Sequence, residues 1–307
     1  MPLDPGIRAL IKQVADSPSA ADPLSLDEKR VAHQRLALSL APNPPLAVGS
    51  VHDDTLAGVP VRVYRPDVIG ETPAVVCCHG GSFVLSDLDT YDHVSRRLCR
   101  DANVTVIDVG FRRAPEYLYP AAYDDCLAVT RWVADHIDDY GGGKLAIAGD
   151  SAGGNLATGV AFGFRDEGRH LDAQLLAYPS TDLSGRTHYA SRDISITGNV
   201  MSPVDDEIFS RIYLSSDPTA KDHAPASPLL ADDFTNLPPT IIATAEFDPV
   251  RDECAAYADK LATAGVPVTL HVYAGLIHGF LNFSSVSPAI DAAITEMYTE
   301  LAKLLAG

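Results

Sequence analysis

The sequence predicts an α/β fold, with a mostly parallel central sheet covered by helices on both faces and a helical cap. Three observations carry this. Short continuous apolar runs recur at 74–78, 104–109, 145–148, 173–178 and 240–245, as expected of strands buried on both faces. Stretches of helical periodicity separate most of them, and this alternation calls for parallel strands joined by crossover helices. The alternation fails between 181 and 238, a span too long for a plain connection.

Taken in order, 5–15 reads as a short helix. Ser25 with Glu28 three residues on is a capping-box pattern that opens a second helix to about Leu40. The Ala-Pro-Asn-Pro-Pro stretch at 41–45 ends it, since proline cannot continue a helix. Residues 46–53 and 59–64 read as two strands around a turn at 56–58. The strand at 74–78 follows, then a helix at 91–101, a strand at 104–109 and a long helix at 121–138 that stops at three glycines, 141–143. After the strand at 145–148, residues 155–162 are helical. Strands at 173–178 and 240–245 come next, then a helix at 250–264 ended by Gly265, a last strand at 268–272 and a closing helix at 288–305. In the 181–238 insertion the clearest helix is 208–214. Such an insertion belongs over the C-terminal edge of the sheet, where ligands bind in open α/β folds. The expected organisation is therefore cap helices at 1–45, core at 46–180, cap insertion at 181–238 and core again at 239–307.

The 307 residues are 46% hydrophobic and 21% charged, ordinary for a globular chain with a substantial core. A net charge of -18 disfavours nucleic acid and anionic membrane surfaces as partners. No apolar run is long enough to span a bilayer, and the N-terminus lacks the layout of a signal peptide, so a cytoplasmic location is expected. The five cysteines form no C-x-x-C pair, which makes a disulfide or zinc framework unexpected.

The chemistry centres on Gly-Asp-Ser-Ala-Gly at 149–153, a G-x-S-x-G pattern between a strand and a helix. A sharp turn there needs small neighbours, which Gly149 and Gly153 supply, and the helix start offers N–H groups to a developing oxyanion. Taken alone the motif also fits an inert glycine-serine loop. A serine hydroxyl needs a base. His278 stands late in the chain in a His-Gly-Phe context after the last strand, whereas His271 lies within that strand and His223 within the insertion. Asp248, just past the 240–245 strand, is the expected acid. Asp252 falls inside the next helix, and Glu246 is suited to bracing a loop. His-Gly-Gly-Ser-Phe at 79–83 directly follows a strand, and its glycines point to an oxyanion hole made by the amides of Gly80, Gly81 and Ala152. The chain order Ser, Asp, His agrees with that of α/β-hydrolases.

Taken together the motifs resemble the hormone-sensitive-lipase-like carboxylesterases, the bacterial family IV esterases, in their G-D-S-A-G branch. The matching stretches are 79–83, Arg-Arg-Ala-Pro-Glu at 112–116, 149–153, Ser-Pro-Leu at 227–229, Leu-Pro-Pro at 237–239, Glu-Phe-Asp-Pro-Val-Arg-Asp at 246–252 and His-Gly-Phe at 278–280. The resemblance covers essentially the whole chain. It implies the α/β-hydrolase fold, with Ser151 as nucleophile, His278 as base, Asp248 as acid and Gly80, Gly81 and Ala152 as oxyanion donors. It implies no metal and no organic cofactor, and a homodimer through the last strand and closing helix. Three positions depart from the family pattern: Ser82 stands where a third glycine is usual, Arg113 replaces an apolar residue, and Cys254 a common glycine.

The expected function is a serine carboxylesterase acting on short- to medium-chain esters. Phe83, Ile194, Met201, Phe209, Tyr213, Ile277 and Phe280, with Leu183, are candidates for an apolar acyl pocket, and each equally suits core packing. A ligand-binding relative that has lost catalysis is the rival from another class. Plant hormone receptors of this family lack the catalytic histidine, and this chain keeps His278. An acyltransferase or amidase would use the same acyl-enzyme.

Overall fold

The computed structural model describes residues 2–15, 25–68, 70–194 and 203–307. Two helices, α1 (Pro5–Ala15) and α2 (Leu26–Leu40), precede the sheet. The core then runs β1 (Ser50–Leu56), β2 (Val59–Arg65), β3 (Ala74–Cys78), α3 (Leu88–Ala102), β4 (Thr105–Val109), α4 (Ala121–Asp135), β5 (Leu145–Asp150), α5 (Ala152–Asp166) and β6 (Ala173–Ala177). After the insertion, which holds α6 (Pro203–Tyr213), come β7 (Thr240–Phe247), α7 (Arg251–Thr263), β8 (Val268–Ile277) and α8 (Pro288–Ala306).

The eight strands form one sheet in the order β1-β2-β4-β3-β5-β6-β7-β8. β2 is antiparallel to both β1 and β4, and every later pairing is parallel. The connections dictate this. A two-residue turn joins β1 to β2, with Ala57 and Gly58 both at positive φ (51° and 82°), as a tight hairpin requires. From β3 onward a helix or the insertion separates successive strands, so they return parallel. Every residue of β4 and of β6 is buried, whereas β1 and β8 are the two edges and stay largely accessible. The G-x-S-x-G strand β5 lies between β3 and β6, so its C-terminal end sits mid-sheet among the β3, β6 and β7 ends.

The helix ends match their sequence signals. Ser25 and Glu28 exchange both bonds of the capping box that opens α2, and Asn103 closes α3 in the left-handed conformation. Several boundaries differ from expectation; α5 runs from Ala152 to Asp166 and α6 from Pro203, longer than foreseen, and four others have a local cause. β1 starts at Ser50, not Leu46, because its ladder begins opposite Arg65 and Pro66 beyond that has no N–H to offer. The helix foreseen at 91–101 starts earlier, at Leu88, where Asp87 caps it. α4 stops at Asp135 and gives way to a short 3-10 turn, Ile137–Tyr140. β8 continues to Ile277, past the expected end at 272, because β7 keeps pairing with it: Glu246 accepts the Gly275 N–H (2.8 Å) and Phe247 pairs with Ile277. His278 thus follows a strand end directly.

One core group sets a pH dependence. Asp108 on β4 is fully buried, and Ser95 donates to its Oδ2 at 2.7 Å. Burial pushes its carboxyl up to about 7, against the lowering effect of Ser95 and with Asp150 adding repulsion. An unfolded aspartate titrates near 4. The raised folded value therefore costs nothing below about pH 4, and the cost grows to its full size above about pH 7, on the order of a few kcal/mol. Asp108→Asn is expected to unfold at higher urea than the parent at pH 8 and to lose that advantage at pH 4. Parallel stability curves across that range would contradict the assignment.

Candidate active site

Ser151 sits between β5 and α5 at φ 54°, ψ −121°, a left-handed-side conformation that costs a non-glycine residue on the order of 1–3 kcal/mol. The neighbours permit it. A Cβ on Gly149 would meet the Gly153 carbonyl, and one on Gly153 would meet the carbonyls of Cys78 and His79. The backbone of α5 can therefore pass tightly over β3 and β5 only because both positions are glycine. This turn lifts the serine clear of the ladder and places it at the N-cap of α5, in a site where it is only 3% exposed.

His278 reaches the serine from the end of β8. Its Nε2 lies 2.9 Å from Ser151 Oγ and its Nδ1 lies 3.0 Å from Asp248 Oδ1. Asp248 follows β7 and is completely buried. It also accepts the Val250 N–H (2.9 Å, Oδ1) and the Thr244 hydroxyl (3.3 Å, Oδ2). With Nδ1–H donated to the carboxylate, Nε2 is left to accept the serine proton. The ring of Tyr178 lies 4.7 Å from the imidazole, backing it from the end of β6. The rival groups lie elsewhere. His271 pairs with Glu300 (2.7 Å), His223 bonds the Ala220 carbonyl, and Asp252 accepts the Ser191 N–H (2.9 Å).

The turn after β3 departs from expectation at one residue. The Gly80 N–H donates to Asp150 Oδ1 at 2.9 Å, so this amide is already engaged by a buried carboxylate and is corrected out of the oxyanion set. Gly81 follows at φ 103°, at the head of a turn whose Val84 and Leu85 amides return to the Gly81 carbonyl (3.0 and 2.8 Å). Ala152 is the first residue of α5, where an N–H has no intrahelical acceptor. Asp150 Oδ2 in turn accepts the Tyr91 hydroxyl at 2.9 Å. Burial pushes the Asp150 carboxyl up to about 6, partly countered by the Tyr91 and Gly80 bonds. Sequence reading misses this pair. Asp150 lies in the motif itself, but nothing along the chain marks Tyr91 as its partner.

The acyl-pocket candidates divide. Phe83 and Tyr213 are buried and stack face to face, centroids 4.1 Å apart, which joins the turn after β3 to α6. Phe209 is buried one turn earlier on α6, with the Lys29 ammonium of α2 over its ring at 5.3 Å. Ile277 is buried beside His278 in sequence. Phe280 is wholly buried against Tyr178 and Tyr273, as core packing. Leu183 is half-buried against the core. Ile194 closes the short 3-10 turn Ala190–Asp193, and Met201 lies outside the described residues. Among the described residues no group of three or more His, Cys, Asp or Glu could hold a metal ion.

A strained serine at a strand-to-helix turn, met by an imidazole from a later strand end, defines a serine hydrolase built on a doubly covered sheet. The chain belongs to the α/β-hydrolase family, within its hormone-sensitive-lipase-like carboxylesterases: the profile for the alpha/beta hydrolase fold matches residues 75–282. It is 37% identical over 303 residues to carboxylesterase NlhH of Mycobacterium tuberculosis, covering 95% of this chain and 92% of that one. It is 33% identical over 311 residues to ethyl acetate hydrolase of Pseudomonas putida, covering 96% of each. A hyperthermophilic esterase from the archaeon Pyrobaculum calidifontis superposes with a TM-score of 0.94 at 37% identity, over 100% of both chains.

Proposed function

We propose that this serine carboxylesterase hydrolyses short- to medium-chain esters through an acyl-enzyme on Ser151. One observation carries the reading: His278 bridges Ser151 Oγ and the buried Asp248 with hydrogen-bond distances on both sides. In the mechanism, His278 Nε2 takes the hydroxyl proton as Ser151 attacks the ester carbonyl. Asp248 keeps the imidazole in the tautomer with Nδ1–H and stabilises the imidazolium. The oxyanion is received by the amides of Gly81 and Ala152, with that of Ser82 next along the same turn. The imidazolium returns its proton to the leaving alcohol. Water then enters, gives a proton to the same histidine, and releases the acid.

The acyl-length reading is supported by the Phe83–Tyr213 stack, which sets two large buried side chains at the oxyanion turn. A relative named for ethyl acetate hydrolysis agrees with it. A p-nitrophenyl ester series from acetate to palmitate tests it. The specificity constant is expected to peak at or below octanoate and to drop at least about tenfold by palmitate. A maximum at palmitate would refute it. Two further expectations belong to this reading. All five cysteines are free thiols, in keeping with a reducing, cytoplasmic setting. No helix among the described residues is long and apolar enough to cross a membrane. Pairing of two copies through β8 and α8 is supported by the edge position of β8 and by exposed Val272 and Leu304.

A further inference from the structure

The oxyanion turn is held in a conformation its own residues disfavour. Gly81, Ser82 and Phe83 all have positive φ, at 103°, 52° and 64°. Glycine tolerates this; a serine and a phenylalanine do so only when their surroundings over-determine the backbone. Ser82 thus carries a Cβ at a left-handed position in this turn, where glycine would carry none.

The compensating contacts come from outside the turn and act on successive carbonyls. The Phe83 carbonyl accepts the Ala114 N–H at 3.0 Å. The Val84 carbonyl accepts Arg30 Nε, from α2, at 2.9 Å. The carbonyls of Leu85 and Ser86 both accept from one nitrogen of Arg113, at 3.2 and 2.8 Å. Arg30 also donates to the Ala114 carbonyl and forms a forked pair with Glu116, at 2.6 and 2.8 Å, so the two arginines share one scaffold. Ser86 completes the set. Its side chain is buried directly against Gly81, close enough that a Cβ there would strike Ser86 Oγ, and His33 Nε2 of α2 holds that oxygen at 2.9 Å.

We propose that Arg113 is a positioning residue for the oxyanion turn, holding the Leu85 and Ser86 carbonyls so that Ser82 can occupy its left-handed conformation. Ser82 and Arg113 then form a coupled pair. Glycine at 82 would remove the strain at one of the turn's two non-glycine left-handed positions and lessen the need for the clamp. The inference rests on the reading of Gly81 as an oxyanion donor. The bonds of Arg113 run to the backbone of the turn and to Asp87, so its assigned role is indirect. It acts through the alignment of the Gly81 amide, and removing a single oxyanion donor elsewhere costs about 10²–10³ in kcat.

The test is a double-mutant cycle of Ser82→Gly and Arg113→Leu, with kcat, KM and thermal unfolding measured for each protein on a short-chain p-nitrophenyl ester. Arg113→Leu in the parent background is expected to lower kcat by about 10- to 100-fold with KM little changed, since misplacement by about 1 Å has effects of this size. In the Ser82→Gly background the same substitution is expected to lower kcat no more than about threefold. Assays run well below each protein's unfolding temperature remove any loss due to unfolded protein. Ser151→Ala, measured alongside, separates the two ways of being wrong. Turnover surviving in it would bring down the serine reading and the oxyanion role with it. An inactive Ser151→Ala with the same Arg113→Leu factor in both backgrounds would bring down the clamp alone.

Discussion

Ser151→Ala is expected to reduce ester turnover by about six orders of magnitude, to the level set by binding and the oxyanion donors alone. The hydroxyl supplies the only atom of the proposed line that bonds to substrate, so no neighbour can replace it. Its removal leaves the fold intact. Alanine is the smallest change at a backbone with φ 54°, and the Ser151 amide and carbonyl keep their bonds to Ala177 and Asn155. The variant should therefore unfold at or above the parent's temperature while remaining inert. Rates with p-nitrophenyl acetate and a thermal melt decide the matter together. A folded variant with undiminished turnover would refute the assignment of the nucleophile.

Asp248→Asn is expected to cost about 10⁴-fold in kcat, with KM changed only a few-fold. The carboxylate is completely buried and accepts from the backbone N–H of Val250 and from His278 Nδ1 through the same oxygen. Asparagine preserves that shape. It cannot stabilise an imidazolium, and its amide group can donate to Nδ1 and so hold the wrong tautomer, with Nε2 protonated and unable to accept from Ser151. The loss should persist through neutral pH and ease only in strong alkali, where hydroxide can take the serine proton in place of the imidazole. A variant within tenfold of the parent across pH 6–9 would show that Asp248 braces the 248–250 turn and nothing more.

Much of the site is legible along the chain because its demands are local. Ser151 needs glycines at fixed offsets, and the motif displays them. Asp248 and His278 each follow a strand, and strand ends can be read from apolar runs and the polar residues after them. The rival His271 lies inside β8, where its ring meets Glu300. Reading fails at the ends of ladders and at the partners of buried polar groups. The last apolar run ends at 272, yet β8 runs on to Ile277 because β7 is there to pair with it. Gly80 looks like a second donor, but its amide belongs to Asp150, seventy positions on.

The sequence by itself determined the alternating layers, the chain order of the candidate nucleophile, acid and base, and the long segment between β6 and β7. These follow from side-chain periodicity and from backbone conformations that only particular residues allow. Tertiary structure alone decided which amides the oxyanion turn can offer, which aromatic side chains pack at its edge, and that Arg30, His33 and Arg113 grip it. A residue's type announces what it can donate or accept, but its partner is chosen by packing between elements distant in the chain. Ser82 and Arg113 therefore look like two unrelated departures in the sequence and meet as one arrangement only in the folded turn.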